Sequence, residues 1–287
     1  MLDRVFQQFG IQVLSINEVE DSHSSIVYKC TLLNGETVFV KIPYTKLKYQ
    51  RELEAYDILK GSVSIPELLD YWSGDEEFPG AFLLSELKGR PLSLQASPTL
   101  AFQVGVLHAT MHTVRPPAEK VLTGIQNEYP NWSTFVERQF HSFAEDVEDV
   151  LDERLFKQAI DQFEDMKKQL PTPDGPSFIH MDFRPANIIV NDEKVSGVID
   201  FESVRFGSTE VDFTKLNRDF LSSDHTLYHS YQEGYSSIRP LIDLEAVLPF
   251  YRFTDAFNSI GWCKRRGIEK NAVFLEQNMV ILRKFLQ

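Results

Sequence analysis

Three polar side chains between residues 180 and 202 have the types and the spacing that a metal-assisted proton transfer needs. Asp182 is followed by Asn187 and, after an apolar stretch, by Asp200. Carboxylate and amide oxygens are hard ligands that suit Mg²⁺, which takes its other ligands from phosphates and water. Asp182 precedes them on a loop and can accept or orient the proton of an attacking hydroxyl. We therefore predict that Asn187 and Asp200 bind magnesium and that Asp182 acts on the hydroxyl.

Two short strands have to bring these side chains together. The segments 178–182 and 188–200 are rich in Ile, Val and Phe, and the second is interrupted by the polar residues 191–194. If that interruption is a tight turn, the strands on either side of it run antiparallel. Asn187, at the start of one strand, then lies close to Asp200, at the end of the other.

The first 85 residues read mainly as short strands. The run 25–33 is followed by Asn34-Gly35 and then by the run 36–42, which is typical of a β-hairpin. Lys41 consequently lies near the end of a strand. The apolar spacing in 46–59 predicts a helix that stops before Gly61.

Beyond Pro98 the pattern is mostly helical. We predict helices over 99–114, 132–150 and 155–170, and several more from Val211 to the C-terminus, with the strands of 178–200 set among them. This order favours an α+β fold with two lobes and a ligand cleft between them. We place the boundary near Glu86, which gives a strand-rich N-terminal lobe over 1–86 and a mostly helical C-terminal lobe over 87–287.

Composition excludes several classes of protein. The 287 residues carry a net charge of −13, which argues against broad nucleic-acid binding because a polyanion would meet a like-charged surface. Two cysteines outside any CxxC pair suit a reducing compartment, so we expect a cytoplasmic location. The sequence shows neither a basic leader nor an apolar run of membrane-spanning length, and we expect no membrane segment.

The segment His180 to Asn187, read as HxDxxxxN and followed by a second Asp, resembles the catalytic loop and metal-binding Asp of the aminoglycoside phosphotransferases and related small-molecule kinases. Further matches follow in family order. Val38-Phe39-Val40-Lys41 is similar to the strand that carries the phosphate-binding lysine, 82–87 to the hinge that meets adenine, and Val211-Asp212-Phe213 to the segment with the structural Asp. The resemblance implies a protein-kinase-like fold.

Roles for individual residues follow from this resemblance. Asp182 becomes the catalytic base or orienting carboxylate, Asn187 and Asp200 the Mg²⁺ ligands, and Lys41 the anchor for the nucleotide phosphates. Glu52 is implied as the partner of Lys41, with Glu54 as a nearby rival. The other implied nucleotide-binding residues are Ser24, Ser25, Val27, Ser85, Glu86, Leu87 and Ile199.

The sequence departs from the protein-kinase pattern at several places. The first turn has no GxGxxG, so Ser24 and Ser25 would replace the glycine-rich cover over the phosphates. Asp200-Phe201-Glu202 lacks the Gly of DFG, and Asp212 follows too soon for a long activation segment. A protein substrate is therefore disfavoured. Arg184 follows the catalytic Asp by two residues, where we expect it to neutralise charge on the transferred phosphoryl group.

These features predict an ATP- or GTP-dependent phosphotransferase that uses Mg²⁺ and a small-molecule alcohol as acceptor. A metabolic kinase acting on choline, homoserine or a sugar is an alternative, as is a non-catalytic nucleotide-binding protein of the same fold. An acidic run from Glu145 to Glu153 is either a solvated helix face or a surface that attracts an amine-bearing acceptor. The oligomeric state is not readable from the sequence.

Histidines and a basic cluster outside the motifs have simpler interpretations. His108 and His112 have metal-ligand spacing on a helix but no evident third ligand, which favours packing. His180 is expected to orient the catalytic loop. Lys264-Arg265-Arg266 is expected to form a solvated helix end.

Overall fold

The computed structural model describes residues 2–19 and 25–287. Its N-terminal part is a five-stranded antiparallel sheet of order β1-β2-β3-β5-β4, with one helix before the sheet and one between β3 and β4. These elements are α1 (Leu2–Phe9), β1 (Val13–Glu18), β2 (Ser25–Leu32), β3 (Thr37–Pro43), α2 (Lys46–Leu59), β4 (Leu68–Trp72) and β5 (Ala81–Ser85).

The β2–β3 hairpin and helix α2 form where the sequence signals predict them. Asn34 Oδ1 accepts the backbone N–H of Glu36 at 3.0 Å, and Gly35 takes the positive φ of 85° that such a turn favours. Thr45 caps α2 by accepting the N–H of Lys48. Lys41 is therefore fixed near the end of a central strand, next to the helix that carries Glu52.

Helix α1 is a difference from the strand-rich reading of the first 85 residues. Leu2, Val5, Phe6 and Phe9 fall at helical spacing on one face of α1. Val5 and Phe6 are buried in a small cluster with apolar residues of β2, β3 and β5. An eight-residue helix is marginal by itself, so burial of this face against the sheet stabilises it.

The C-terminal part holds eight helices and two small sheets among the described residues. Its helices are α3 (Pro98–Thr113), α4 (Trp132–His141), α5 (Ala144–Glu148), α6 (Glu153–Lys167), α7 (Phe213–Asp219), α8 (His225–Ser236), α9 (Leu244–Arg266) and α10 (Ala272–Phe285). Its strands are β6 (Arg90–Pro91), β7 (Ser177–Ile179), β8 (Ile188–Asn191), β9 (Lys194–Val198) and β10 (Arg205–Gly207). They form the sheets β6-β8-β9 and β10-β7, both antiparallel.

The helix predicted over 132–150 is two helices, α4 and α5. The chain turns at Ser142 and Phe143, where the N–H of Phe143 bonds back to the carbonyl of Phe140. The Phe143 side chain lies against Gly261 of α9, so close that a Cβ on Gly261 would be 2.7 Å away. The guanidinium group of Arg265 also lies over this ring, 4.3 Å from its centroid. Packing on α9 therefore interrupts a helix that the local sequence would continue.

One continuous core joins the two parts. Tyr56 of α2 contacts Phe82 of β5 and Phe201 of the C-terminal part, with ring centroids 6.0 and 5.6 Å apart. All three rings are buried in the same apolar cluster. Helix α2 thus packs on both parts. None of the described helices is both long and apolar enough to cross a membrane.

Candidate active site

The loop between β7 and β8 is held in its conformation by the carboxylate of Asp212. Asp212 accepts the backbone N–H groups of His180 at 2.5 Å and Met181 at 2.6 Å. Met181 has a φ of 66°, a left-handed conformation that a non-glycine residue adopts only when its surroundings enforce it. His180 Nε2 donates to the carbonyl of Ile199 at 3.0 Å. These bonds fix the loop that presents Asp182.

Asp182 lies among three nitrogen donors. Its Oδ1 is 2.6 Å from Lys215 Nζ, and its Oδ2 accepts from Asn187 Nδ2 at 2.9 Å. Arg184 Nε is 3.3 Å from the same Oδ2. Sequence reasoning missed Lys215, which stands 33 residues beyond Asp182 on helix α7. The one signal it had was its place just after the Asp212 segment.

Asn187 turns its two side-chain atoms in different directions. Its Nδ2 also donates to the backbone carbonyl of Asp182 at 2.9 Å, so the amide nitrogen is fully used. Its Oδ1 accepts no hydrogen bond within the described ranges. The β8–β9 pairing ends beside it, because the N–H of Ile199 donates to the Asn187 carbonyl at 3.0 Å. Asp200, the next residue, is thereby brought to the same end of the sheet.

Lys41 joins the N-terminal sheet, helix α2 and Asp200. Its Nζ is 2.8 Å from Glu52 Oε1 and 2.7 Å from Asp200 Oδ1. Lys41 is 5% exposed and Glu52 is fully buried, so both charges are largely removed from water. Glu54, the rival partner, points elsewhere and accepts the backbone N–H groups of residues 123–125. The structure therefore pairs Lys41 with Glu52.

One ammonium shared by two carboxylates changes how all three groups titrate. Burial opposes the charge of Lys41, yet Asp200 and Glu52 raise its pKa well above the ordinary value. Burial also works against ionised Asp200, but Lys41 holds the pKa of that carboxyl below its usual value. Glu52 is the exception, because burial outweighs Lys41 and raises its pKa to about 7. Its Oε2 is buried with no hydrogen-bond partner in the described part of the chain.

Asn187 and Asp200 fit a hard divalent cation. They offer an amide oxygen that no described residue uses and a carboxylate with a low pKa, which is the donor set that magnesium accepts. Asp200, two residues beyond the end of β9, adopts a φ of 74°, a left-handed conformation that is strained for a residue other than glycine. Lys41 already contacts the Asp200 carboxylate, so a cation bound there would lie beside the Lys41 ammonium group.

Three of the residues predicted to contact the nucleotide, Ser25, Val27 and Ser85, lie on strands of the sheet that contains Lys41. Val27 stands opposite Lys41 in the β2–β3 register, and Ser25 is buried opposite Pro43. Ser24 lies outside the described residues. Ser85 ends β5, where its hydroxyl accepts the N–H of Glu67 at 2.8 Å.

Two further residues of this set follow β5. Glu86 forms an ion pair with Lys29 at 2.8 Å. Leu87 lies against Gly197 of β9, so it contacts the C-terminal part. Ile199 follows β9 and is bonded to Asn187, which completes the set around the cleft.

His108 and His112 meet a third polar residue that their spacing did not reveal. Both Nε2 atoms face Asp212 Oδ2, at 3.7 and 3.3 Å, and both Nδ1 atoms bond to tyrosine hydroxyls, of Tyr231 and Tyr235. The three ligand atoms lie within 4.8 Å of one another. Because Asp212 already accepts two backbone N–H groups, we interpret the cluster as a hydrogen-bond network behind the loop that carries Asp182.

The basic cluster Lys264-Arg265-Arg266 is exposed at the end of α9, as expected, and two of its members also form ion pairs. Lys264 and Arg265 form ion pairs with Asp149 and Asp146. These two carboxylates belong to the acidic run 145–153, and Asp152 of the same run caps helix α6. Much of the run is therefore already engaged within the protein.

Comparison with known structures shows the same architecture. The complex of APH(2″)-IIIa with GDP and kanamycin has a TM-score of 0.77 at 15% identity, covering 99% of this chain and 97% of that one. Macrolide 2′-phosphotransferase MphH from Brachybacterium faecium has a TM-score of 0.71 at 15% identity, covering 98% and 96%. Spectinomycin phosphotransferase APH(9)-Ia with ADP and spectinomycin reaches 0.65 at 13% identity, covering 98% and 93%.

At these identities the likeness shows a shared kinase-like fold, which confirms the fold predicted from the sequence. A search of curated proteins finds no match to the chain. The model of one sequence family, described as the phosphotransferase enzyme family, matches residues 15–250. That range holds both the Lys41–Glu52–Asp200 group and the loop that carries Asp182. The chain belongs to the phosphotransferase enzyme family.

Proposed function

We propose that this phosphotransferase moves the γ-phosphoryl group of ATP or GTP to a hydroxyl of a small molecule in a Mg²⁺-dependent reaction. The observation that supports it is the convergence of five groups from distant parts of the chain. The Lys41–Glu52–Asp200 ion pairs lie at the end of β9 where Asn187 and Asp182 also meet. Phosphoryl transfer depends mainly on such positioning and on charge neutralisation.

Each residue has a defined task in this proposal. Lys41 binds the nucleotide phosphates and is itself oriented by Glu52. Asn187 and Asp200 hold the magnesium ion, which when bound neutralises phosphate charge. The acceptor oxygen bonds to the γ-phosphorus as the bond from that phosphorus to the β–γ bridging oxygen breaks, the nucleoside diphosphate leaves, and Asp182 takes or orients the hydroxyl proton. Arg184 and Lys215 stabilise the charge that develops there.

The nucleotide is left as ATP or GTP. Two of the structural relatives named above were solved with a nucleotide, one with GDP and one with ADP, and their identities of 15% and 13% show the fold and not the nucleotide of this chain. Ser24, Ser25, Val27, Ser85, Glu86, Leu87 and Ile199 are proposed to surround the nucleotide. This proposal is supported by Ser25 and Val27 on β2, by Ser85 at the end of β5 with Glu86 and Leu87 after it, and by Ile199 after β9.

The acceptor is proposed to be a small alcohol, with amine-bearing alcohols included. The acidic run is the argument for amines, although Asp146 and Asp149 are already paired. Lys215 and Arg184 beside Asp182 favour a second candidate, a metabolic alcohol such as a sugar, because they would repel an ammonium group next to the reacting hydroxyl. Among the structural relatives, the solved complexes of APH(2″)-IIIa and APH(9)-Ia contain kanamycin and spectinomycin, and that of a further relative, APH(2″)-IIa, contains gentamicin.

We also propose that the chain divides into two lobes, 1–86 and 87–287. It is supported by the end of β5 at Ser85 and by β6, which already pairs with β8 of the C-terminal part. A cytoplasmic location is proposed on the free, buried thiols of Cys30 and Cys263.

The test is a screen for nucleoside diphosphate release with ATP or GTP over aminoglycosides, macrolides, choline-like alcohols and sugars. Each product is checked by mass spectrometry for one added phosphoryl group. Asp182→Ala is the blank, and we expect it to lower the transfer rate about 10²–10⁴-fold. Full transfer by Asp182→Ala to the true acceptor would refute the assigned role. Asp200→Ala is expected to abolish Mg²⁺-dependent nucleotide binding, and unchanged binding would refute the metal site.

A further inference from the structure

A cavity lies between helix α2, the segment 116–128, helix α4 and strand β10. Its volume is about 800 Å³, within the range that small-molecule sites occupy. None of the residues proposed above for catalysis, nucleotide or metal lines it. It is therefore separate from the candidate active site.

The lining of this cavity is basic in an acidic protein. Four cationic side chains and one carboxylate line it: Arg51, Lys120, Arg138, Arg205 and Glu128. The whole chain carries a net charge of −13, so a local excess of positive charge runs against its average. Such a concentration attracts anions into the cavity.

The partners inside the cavity do not neutralise its guanidinium groups. Glu128 Oε1 is shared between Arg138 Nη2 at 3.0 Å and Arg205 Nη1 at 3.2 Å. Arg51 donates to two backbone carbonyls, of Gly124 at 3.2 Å and Glu202 at 2.8 Å, which carry no net charge. Among the lining residues, three guanidinium groups therefore stand against one carboxylate.

Other charged groups near the cavity already have partners. Lys120 pairs with Asp57. The Glu202 carboxylate lies 3.4 Å from Lys48, and that of Glu54 accepts the N–H groups of 123–125. Backbone N–H groups carry no net charge, so Glu54 keeps its negative charge and offsets part of the charge of Arg51. With Glu128 it leaves an excess of one positive charge on the three guanidinium groups of Arg51, Arg138 and Arg205.

The arginines are held in place before any ligand arrives. Arg205 and Arg138 both lie over the ring of Phe135, at 4.8 and 5.6 Å from its centroid. The Arg205 side chain is 14% exposed, and its Nε is buried without a hydrogen-bond partner among the described residues. Burial, together with the charge of Arg51, lowers the pKa of Arg205 to about 10. An anion in the cavity would relieve both the unused donor and the repulsion.

We propose that this cavity binds a small molecule through a phosphate group, with Arg51, Arg138 and Arg205 as its ligands. Guanidinium forks match the geometry of phosphate oxygens. The several oxygens of a phosphate can accept hydrogen bonds from more than one guanidinium group at once, whereas a monocarboxylate offers two oxygens. The volume leaves room for an organic portion beside the phosphate.

The test is a calorimetric titration at constant ionic strength with inorganic phosphate, phenyl phosphate and acetate as probes. The variants are Arg138→Gln and Arg205→Gln, with Arg154→Gln as a control at an exposed arginine of α6. Lys41→Met is included because inorganic phosphate could also enter the proposed nucleotide site. Arg138 is 58% exposed, so its variant is expected to fold even if Arg205→Gln does not.

Wild type is expected to bind phosphate or phenyl phosphate saturably and more tightly than acetate. Each of the two cavity variants should weaken that binding about tenfold or more, since a charge-assisted contact is lost. Arg154→Gln should leave it unchanged, and Lys41→Met should retain the saturable binding that Arg138→Gln weakens. If phenyl phosphate binds more tightly than inorganic phosphate, the ligand is an organic phosphate. If the two bind equally, the ligand is free phosphate. The proposal is overturned if wild type shows no saturable binding, if Arg138→Gln binds like wild type, or if Lys41→Met alone abolishes binding.

Discussion

At the scale of single residues, Lys215 is the contact that most changes the picture of the site. It stands 2.6 Å from Asp182 Oδ1, on the side of the carboxylate away from Asn187 and Arg184. The proposed base is therefore flanked by two cations. A positive charge in that position stabilises negative charge on a phosphoryl group in transit.

Lys215→Met is expected to lower kcat about 10–100-fold with little change in the KM for nucleotide, because the lost charge acts near the transferred group and not on the bound nucleotide. Steady-state kinetics on the acceptor found in the screen measures both constants. Lys168→Met, which removes an exposed charge at the end of α6, is the matched control. An unchanged kcat in Lys215→Met would contradict the role.

Most of the site residues were available from the sequence, and Lys215 shows why some were not. Asp182, Asn187 and Asp200 lie within 19 positions, and a single hairpin suffices to bring them together. Lys41 and Glu52 are 11 residues apart on a strand and the helix that follows it. Lys215 reaches Asp182 only through the packing of α7 behind the loop, which no local spacing encodes. Local signals predict neighbours, and tertiary packing supplies the rest.

At the scale of elements, helix α2 is attached to the C-terminal part by Glu54. Its Oε1 and Oε2 accept the backbone N–H groups of Thr123, Gly124 and Ile125 at 2.7 to 3.1 Å. Burial works to raise the pKa of Glu54, but these donors hold it below the usual value. Gly124 allows the segment 123–125 to approach α2 this closely, since a Cβ on Gly124 would lie 2.3 Å from the backbone nitrogen of Arg51.

Glu54→Ala is expected to lower the free energy of unfolding by about 2 kcal/mol, because three N–H groups lose a charged acceptor. Urea denaturation measures the change. Asp57→Ala on the same helix removes an exposed ion pair with Lys120 and should cost less than about 1 kcal/mol. Equal costs for the two variants would show that the Glu54 contacts add nothing particular.

Helices α3 and α8 cross at two glycines. A Cβ on Gly105 would lie 2.2 Å from the Tyr231 carbonyl oxygen, and one on Gly234 would lie 2.0 Å from that of Phe102. Neither backbone can yield without moving a helix. The close contact also brings Tyr231 and Tyr235 within reach of His108 and His112.

Gly105→Ala is therefore expected to lower the free energy of unfolding by about 3 kcal/mol, the upper end of the usual cost of overpacking. Thermal and urea denaturation measure it. Thr99→Ala, at an exposed position of the same helix, should change stability by less than about 0.5 kcal/mol. If the Gly105→Ala protein were as stable as wild type, α3 and α8 could move apart at no cost in free energy, and the prediction would be wrong.

The elements that the sequence predicted best were those with local end signals. Thr45 and Gly61 mark the ends of α2, and Asn34-Gly35 marks the hairpin turn. The break between α4 and α5 has no such signal, because it depends on Phe143 meeting Gly261, more than a hundred residues away. Helix α1 did have a periodic signal, which the neighbouring strand pattern obscured.

At the scale of the whole molecule, the buried histidines link stability to pH. Burial lowers the pKa of His108 from 6.5 to about 3, and it lowers the pKa of His112 as well. Both imidazoles are therefore neutral in the folded protein at pH values where the unfolded chain binds protons. The folded state gains stability as pH rises from about 3 to 6.5 and loses it as pH falls through that window.

We expect the free energy of unfolding to fall as pH decreases from about 6.5 towards 3, and His108→Gln should show a shallower dependence over that range. Urea denaturation at a series of pH values measures both slopes. His229→Gln, at an exposed position, should keep the wild-type slope. The raised pKa of Glu52 makes the free energy of unfolding fall as pH rises between about 4.5 and 7. This contribution is present in wild type and in both histidine variants, so it cancels when their slopes are compared. Parallel curves for wild type and His108→Gln would refute the histidine contribution.

The attachment of α2 also has a consequence for motion. If the cleft opens to admit a nucleotide, the contacts of Arg51 and Glu54 keep α2 with the segment 123–125, so the sheet has to shift relative to its own helix. In native-state hydrogen exchange, the amides of Thr123, Gly124 and Ile125 should then exchange only when the whole protein unfolds. Amides at the edge strand β1 should exchange through smaller openings, which would place the hinge within the sheet.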